Sequence, residues 1–230
     1  DNKNPILTIK GVAVGEGGAG ARVEKVEVSV DGGKTWENSK GEKYNLPINQ
    51  EKAEIAFSIP QNSELINQTS MAADKEGNPV IATYWRDSGT DVPQFHVIYF
   101  DAGKWTSKAV SERKSPFSLS GGGTKSIPVS RPQILIGTHN EKDIALMIFR
   151  DKERGSRPSM SFNANFPDGD WTTHDLSNDD LGSWEPSFDT ELWKDKGILG
   201  LFIQKVQQID GEGVAGGNAQ MVKVLEWKLK

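Results

Sequence analysis

An arginine, a histidine and a tyrosine are the residues of this sequence best suited to catalysis. Arg131 follows Ser130 and precedes Pro132-Gln133, and its guanidinium could hold a carboxylate through two parallel hydrogen bonds and stabilise developing negative charge. His96 and Tyr84 could each act as a general base towards a proton near that carboxylate. The three side chains therefore predict a site for proton abstraction beside a bound carboxylate.

Each of these residues also has a purely structural interpretation. Arg131 could tie neighbouring strands together through main-chain carbonyls or through Glu185. His96 begins a predicted strand, where a histidine can be half buried in a local hydrogen bond. His139 and His174 lie in a turn and on a strand edge, which favours solvated positions. The sequence leaves these alternatives open for Arg131 and His96.

Polar residues precede each of three predicted inner strands. They are Asn67-Gln68-Thr69-Ser70, Ser130-Arg131-Pro132-Gln133 and Trp184-Glu185-Pro186-Ser187. Because strand starts and the loops between second and third strands share one face of a repeated sheet unit, we expect these groups to converge there. The predicted binding residues are Asn67, Gln68, Arg86, Gln94, Gln133, Arg150, Trp184 and Glu185. Trp184 could instead pack against its own sheet. The loop that Arg150 begins could be a solvated turn or an anion-binding rim.

A recurring turn organises the elements that would position these residues. Ser29-Val30-Asp31-Gly32-Gly33-Lys34-Thr35-Trp36 has the spacing of an Asp-box, in which Asp31 accepts main-chain hydrogen bonds and Trp36 folds back over the turn. Related turns end at Trp105 and Trp171, and Trp227 is a further candidate. An Asp-box stabilises a hairpin, so it indicates architecture and not activity.

Short apolar and alternating strands between these turns predict an all-β fold, a β-propeller of four-stranded blades. We expect three full blades in residues 51–230, at about 65–111, 131–176 and 184–230. Residues 1–50 would form a partial blade or an N-terminal hairpin unit. Three blades and part of a fourth do not close a ring. The chain would therefore be the C-terminal part of a larger ring, or residues 1–50 or another chain would complete it.

The amino-acid composition argues against several classes of partner and of chemistry. Lys and Arg number 27 against 32 Asp and Glu, a net charge of −5, so we expect neither nucleic acid nor membrane as a partner. Cysteine is absent, which excludes disulfides and thiolate chemistry. No His or carboxylate motif has catalytic-metal spacing, so we expect no metal and no cofactor. The opening Asp1-Asn2-Lys3 does not have the pattern of a signal peptide.

From about Val28 onwards the sequence resembles the BNR repeat family, the sialidase-like propellers of ulvan-type polysaccharide lyases. The resemblance is carried by the Asp-box and by Leu65-Ile66-Asn67-Gln68, Pro93-Gln94-Phe95-His96, Phe117 to Thr124 and Ser130 to Gln133. It implies a secreted or periplasmic bacterial protein whose partner is an acidic polysaccharide or oligosaccharide. Residues 7–37 are similar, more weakly, to the start of the sulfite oxidase dimerisation domain.

The resemblance leads to three functional hypotheses. The first is β-elimination at a uronate, with Arg131 on the sugar carboxylate and His96 or Tyr84 as the base. The second is a noncatalytic glycan-binding or scaffold propeller. The third is a glycoside hydrolase of sialidase type, which is disfavoured because the sequence shows no clear arginine triad with a tyrosine and glutamate pair.

Overall fold

The computed structural model describes residues 8–9, 28–29, 33–49, 51–66, 69–121, 125–211 and 213–228. Asp31 of the Asp-box and the predicted binding residues Asn67 and Gln68 lie outside these ranges. Two short strands at the N-terminal end, β1 (Thr8–Ile9) and β2 (Val28–Ser29), pair antiparallel with each other.

The first large sheet is a four-stranded antiparallel meander in chain order. Its strands are β3 (Ser70–Ala73), β4 (Pro79–Trp85), β5 (Gln94–Asp101) and β6 (Lys104–Ala109). Strand β4 is buried along its whole length, as its continuous apolar sequence predicts. Ala102 and Gly103 connect β5 to β6 with positive φ angles of 48° and 79°, the conformation that a two-residue hairpin of matching twist requires.

The second large sheet repeats this topology. It contains β7 (Gln133–His139), β8 (Lys142–Asp151), β9 (Arg157–Asn163) and β10 (Trp171–Asp175). A 3-10 turn over Lys152–Arg154 joins β8 to β9. The main-chain N–H of Ile134 donates to Ser70 Oγ at 3.0 Å, so the first strands of the two sheets lie beside each other. Both sheets therefore have the strand order of propeller blades.

The third sheet is smaller in the described residues. Strands β11 (Ile198–Ile203) and β12 (Lys223–Lys228) pair antiparallel, and an isolated bridge joins Phe188 to Leu201. Helix α1 (Thr190–Lys196), which the sequence analysis did not predict, lies between the bridge and β11. None of the helices in the described ranges is long and apolar enough to cross a membrane.

Two hydrophobic clusters join the sheets to one another, and a third covers the remaining face of the first sheet. Tyr84 and Phe95 of the first sheet pack with Met147 and Phe149 of the second. The opposite face of the second sheet packs against the third sheet in another cluster. Trp85 and its neighbours on the outer face of the first sheet cover residues 56–65. The prediction of an all-β fold built from four-stranded antiparallel sheets is confirmed, and no ring closure is seen among the described residues.

The repeated tryptophans occupy different environments. Trp36 is half buried, and its ring lies 3.7 Å from where a Cβ on Gly33 would stand. Trp105 donates from Nε1 to Glu54 at 3.3 Å and packs on the outer face of the first sheet. Trp171 packs against the cluster between the first two sheets. Although their partners differ, Trp105 and Trp171 lie on equivalent faces of successive sheets, the face turned away from the following sheet.

Candidate functional site

Four of the predicted site residues lie together where the two large sheets approach the smaller third sheet. Tyr84 and Arg150 each precede the last residue of their strands, β4 and β8, and Arg131 lies two residues before β7. Glu185 lies on the segment that leads to the Phe188 bridge. The charges of Arg131, Glu185 and Arg150 all act on the Tyr84 phenol. We call Tyr84, Arg131, Arg150 and Glu185 the inner mouth.

Arg150 is the buried anchor of the inner mouth. Its side chain is 3% exposed and donates to the carbonyls of Trp184, Pro128 and Ile127 at 2.9, 3.1 and 3.1 Å. Burial lowers the pKa of its guanidinium, while the carboxylates of Glu185 and Asp151 oppose that shift. A guanidinium bound to three main-chain carbonyls stabilises the junction between the sheets and has little freedom to bind a ligand.

Arg131 keeps more of its binding capacity. Its side chain is 32% exposed, and its main-chain N–H donates to Glu185 Oε2 at 2.8 Å. The guanidinium Nη1 is 3.8 Å from Glu185 Oε1, which makes a loose ion pair. Nε is buried without a hydrogen-bond partner among the described residues. Glu185 therefore holds the main chain of Arg131, while the guanidinium retains unused donors.

Tyr84 adds a neutral phenol within electrostatic range of the arginines. It is 1% exposed, its hydroxyl has no hydrogen-bond partner in the described part of the chain, and its ring meets Phe95 and Phe117 edge-on. Burial raises the pKa of Tyr84 well above its ordinary value of 10.0, although the Arg131 charge lowers it. The phenol is therefore protonated at neutral pH and is a weak base.

Glu185 is the carboxylate of the inner mouth. Its side chain is 43% exposed. Burial raises the pKa of Glu185, while the main-chain N–H of Arg131 and the charges of Arg131 and Arg150 lower it, and the net shift is upward. Its carboxylate thus titrates closer to neutral pH than an ordinary glutamate.

Arg113 adds a third guanidinium that the sequence analysis missed. Its Nε lies 2.7 Å from Asp151 Oδ2, Nη1 donates to the carbonyls of Pro93 and Ser115 at 3.2 Å, and the group lies 5.1 Å from the centre of the Phe117 ring. Its charge also acts on Tyr84. The charges of three arginines thus act on Tyr84, but Arg113 and Arg150 are buried and bound to protein groups.

His96 lies on the opposite face of the first sheet. It pairs directly with Thr83 across β4 and β5, whereas Tyr84 is the next residue along β4 and points the other way. The imidazole stacks on Trp85 at 3.5 Å, and its Nε2 is 3.4 Å from Asp87 Oδ2. Burial lowers the pKa of His96 to about 4, against the opposing effects of Asp87 and the Trp85 main chain. The structure does not bring His96 together with Arg131.

Two more predicted binding residues are occupied by local contacts. The Gln94 side chain donates to the Arg113 carbonyl at 3.0 Å and accepts from Ser111 and from the Arg113 N–H at 2.8 Å each, so it pins the segment after β6. Arg86 donates to the Asn62 carbonyl at 2.6 Å and lines a separate cavity of about 230 Å³. Arg86 therefore lies in a different cavity and not with the residues of the inner mouth.

The remaining predicted residues lie beside the inner mouth. Trp184 is buried and donates from Nε1 to the Phe202 carbonyl at 2.9 Å, an arrangement that favours packing over stacking on a sugar. Gln133 is half buried at the start of β7, opposite Ile148. Among the described residues, no group of three or more His, Asp or Glu side chains could hold a metal ion.

Comparison with known proteins supports part of this description. The model of a family described as "BNR repeat-containing family member" matches residues 27–113, so the resemblance to BNR repeat proteins is confirmed for that stretch. The matched stretch contains the whole first large sheet, including Tyr84 and His96.

One similar solved structure is an endo-arabinase from Bacteroides thetaiotaomicron VPI-5482. It has 15% sequence identity and a TM-score of 0.41, and the match covers 90% of this chain and 68% of that one. No curated protein matches the chain.

Proposed function

We propose that this chain is a carbohydrate-binding part of a β-propeller whose inner mouth binds the carboxylate of a uronate in an acidic polysaccharide. The observation that carries the proposal is the state of Arg131, whose guanidinium is 32% exposed and makes only a loose 3.8 Å ion pair with Glu185 beside the buried Arg150. Guanidinium groups bind carboxylates through two hydrogen bonds at once. The match of residues 27–113 to the BNR repeat family is consistent with this assignment.

The charge balance supports an acidic ligand. Asp151 lies 2.7 Å from Arg113 and neutralises its charge, so this buried pair adds little net charge to the site. Arg131 and Arg150 face one carboxylate, Glu185, at 3.8 and 3.9 Å. The inner mouth therefore carries more positive than negative charge, although the whole chain is acidic. A local excess of positive charge attracts a carboxylate.

Binding is better supported than elimination because neither of the two predicted bases, Tyr84 and His96, is placed and ionised to act beside Arg131. Tyr84 is protonated at neutral pH, and His96 is on the other face of the first sheet. A general base must lie within hydrogen-bond reach of the proton that it removes. These positions favour the noncatalytic hypothesis.

The surrounding assembly is also a proposal. The large sheets support blades at about 65–111 and 131–176, and the smaller third sheet supports one at 184–230. Further blades, supplied by residues 1–50, by preceding sequence or by another chain, would complete the ring and its channel. Because such proteins act on polysaccharides outside the cytoplasm in the resembled family, we propose a secreted or periplasmic location.

Isothermal titration calorimetry with hexagalacturonate tests the binding proposal. Loss of a charged hydrogen bond costs about 1.5–3 kcal/mol, so Arg131→Met should weaken binding about 10- to 100-fold. Arg86→Met removes the same charge outside the inner mouth and should leave the affinity within about twofold. Equal weakening by both variants would show that only net charge matters, and unchanged binding in Arg131→Met would exclude this site.

Catalysis has two specific alternatives. The unpartnered Tyr84 hydroxyl beside Arg131 would serve an elimination, and the three arginines around Tyr84 would suit a hydrolase of sialidase type. Elimination produces a double bond conjugated to the carboxylate, so near-ultraviolet absorbance would rise with pectic, ulvan or glycosaminoglycan polymers. Hydrolysis of sialosides would release free sialic acid. We expect neither signal from this chain, and a signal abolished by Arg131→Met would replace the binding proposal with the corresponding enzyme.

A further inference from the structure

A second cavity lies between the outer strands of the two large sheets. It has a volume of about 680 Å³, within the usual range of small-molecule sites. One wall is formed by Lys108 to Arg113, the other by Asp170, Trp171 and Thr173, and Phe149 lines the space between them. We call this cavity the outer cleft.

The two walls of the outer cleft carry unused acceptors. Glu112 and Asp170 are exposed, and their carboxylates make no hydrogen bond or ion pair with any described residue. Lys108 extends its amino group towards the Gly169 carbonyl, at 3.5 Å, and adds a donor. A ligand with several hydroxyl groups could donate to the carboxylates and accept from the amine.

Trp171 supplies an aromatic surface in the same cleft. Its indole is half buried and is held edge-on by Phe166, with ring centres 6.3 Å apart. The negative face of an aromatic ring attracts the weakly positive C–H groups of a sugar ring. An indole flanked by free polar groups is therefore suited to a sugar.

The charges of the cleft favour a neutral sugar. Arg113 is paired with Asp151 at 2.7 Å, and Arg154 lies 2.6 Å from Asp175, which it shares with Arg157, so both arginines are already held by protein carboxylates. The unpaired carboxylates of Glu112 and Asp170 would repel a uronate. The outer cleft thus differs in charge from the inner mouth.

We propose that the outer cleft is a second glycan site, which binds a neutral sugar unit on Trp171 with hydrogen bonds to Glu112 and Asp170. The site extends the proposed function, but it does not require Arg131 to bind. A polymer with both neutral and acidic sugars could engage the cleft and the inner mouth through different units.

Titration of the chain with neutral hexasaccharides of xylose, arabinose and galactose, followed through the indole N–H signals by NMR, tests the proposal. The seven tryptophans give separate signals, and the Trp171 signal should shift with a Kd of about 1 mM or below. Asp170→Asn should weaken binding at least threefold, while the matched Asp168→Asn should not. A shift confined to other indoles, or no shift with any of the sugars, would overturn the proposal.

Two further variants keep the test independent of folding and of the inner mouth. Trp171→Ala should abolish binding, while Trp105→Ala, which alters the equivalent tryptophan of the first sheet, should retain it. If Trp171→Ala fails to fold, Asp170→Asn and Asp168→Asn still decide the outcome. Arg131→Met should bind the neutral sugars normally, so failure at the outer cleft and failure at the inner mouth give different results.

Discussion

Replacement of Arg150 by methionine should destabilise the chain more than any other single change at the inner mouth. The guanidinium binds the Trp184 carbonyl on one segment and the adjacent Ile127 and Pro128 carbonyls on another. Methionine fills a similar volume but supplies no donor. The variant therefore removes the hydrogen bonds while largely preserving the packing.

The expected loss of stability depends on which of the three carbonyls keep a hydrogen-bond donor when Arg150 is replaced. Pro128 keeps a partner, because the Lys152 N–H also donates to its carbonyl at 2.8 Å. Trp184 and Ile127 lose the donor that Arg150 supplies, and each unsatisfied buried carbonyl costs about 1–3 kcal/mol. Removing a buried charge recovers part of this cost. We therefore expect the free energy of unfolding to fall by about 3 kcal/mol.

Urea unfolding followed by circular dichroism measures this loss. With a slope of about 2–3 kcal/mol per molar urea, the midpoint should fall by about 1–1.5 M without a change in slope. Arg150→Lys should recover less than half of the loss, because one ammonium group does not reproduce the planar fork of a guanidinium. Arg86→Met, which removes one bond to the Asn62 carbonyl, should stay within about 0.5 kcal/mol of the parent. A loss of less than about 0.5 kcal/mol in Arg150→Met would refute the structural role assigned to this arginine.

Two pH-dependent predictions concern other buried groups. Asp175 is partly buried, and bonds from Arg154 and Ser159 hold its pKa below the ordinary 3.8, so Asp175→Asn should cost about 1–3 kcal/mol at pH 7. That difference should shrink as pH falls below 3.8 and through the lower pKa of the folded carboxylate, and a pH-independent difference in thermal unfolding would contradict it. Burial lowers the pKa of His96 in the folded chain from 6.5 to about 4. Between pH 4 and pH 6.5 the unfolded chain therefore binds a proton at His96 that the folded chain does not bind. Stability should therefore fall by about 2–3 kcal/mol from pH 6.5 to pH 4, and His96→Gln should remove most of this slope in urea titrations.

The repeated sheets could be predicted because their signals are local. The continuous apolar run of β4 and the Asp101-Ala102-Gly103-Lys104 turn specify a buried strand and a tight hairpin from neighbouring residues alone. Helix α1 has an equally local cause, since Asp189 caps its first turn and Gly197 ends it with a φ of 62°. The helix was not predicted because the whole of residues 184–230 was assigned to a four-stranded blade.

The candidate site could be predicted only in part. Arg131 and Glu185 are neighbours because they occupy equivalent starts of successive inner strands, which the repeat reveals. Arg113 lies in an irregular connection whose path depends on Gln94 and Asp151, so nothing in its local sequence marks it. The separation of His96 from Tyr84 depends on pairing register, and a shift of one residue would reverse it.

A crystal structure of the chain with hexagalacturonate bound would test the central claim most directly. We expect a sugar carboxylate within about 3 Å of the Arg131 guanidinium, with Arg150 still bound to its three carbonyls. A uronate bound instead to the Arg154 and Arg157 loop, with Arg131 unoccupied, would contradict it.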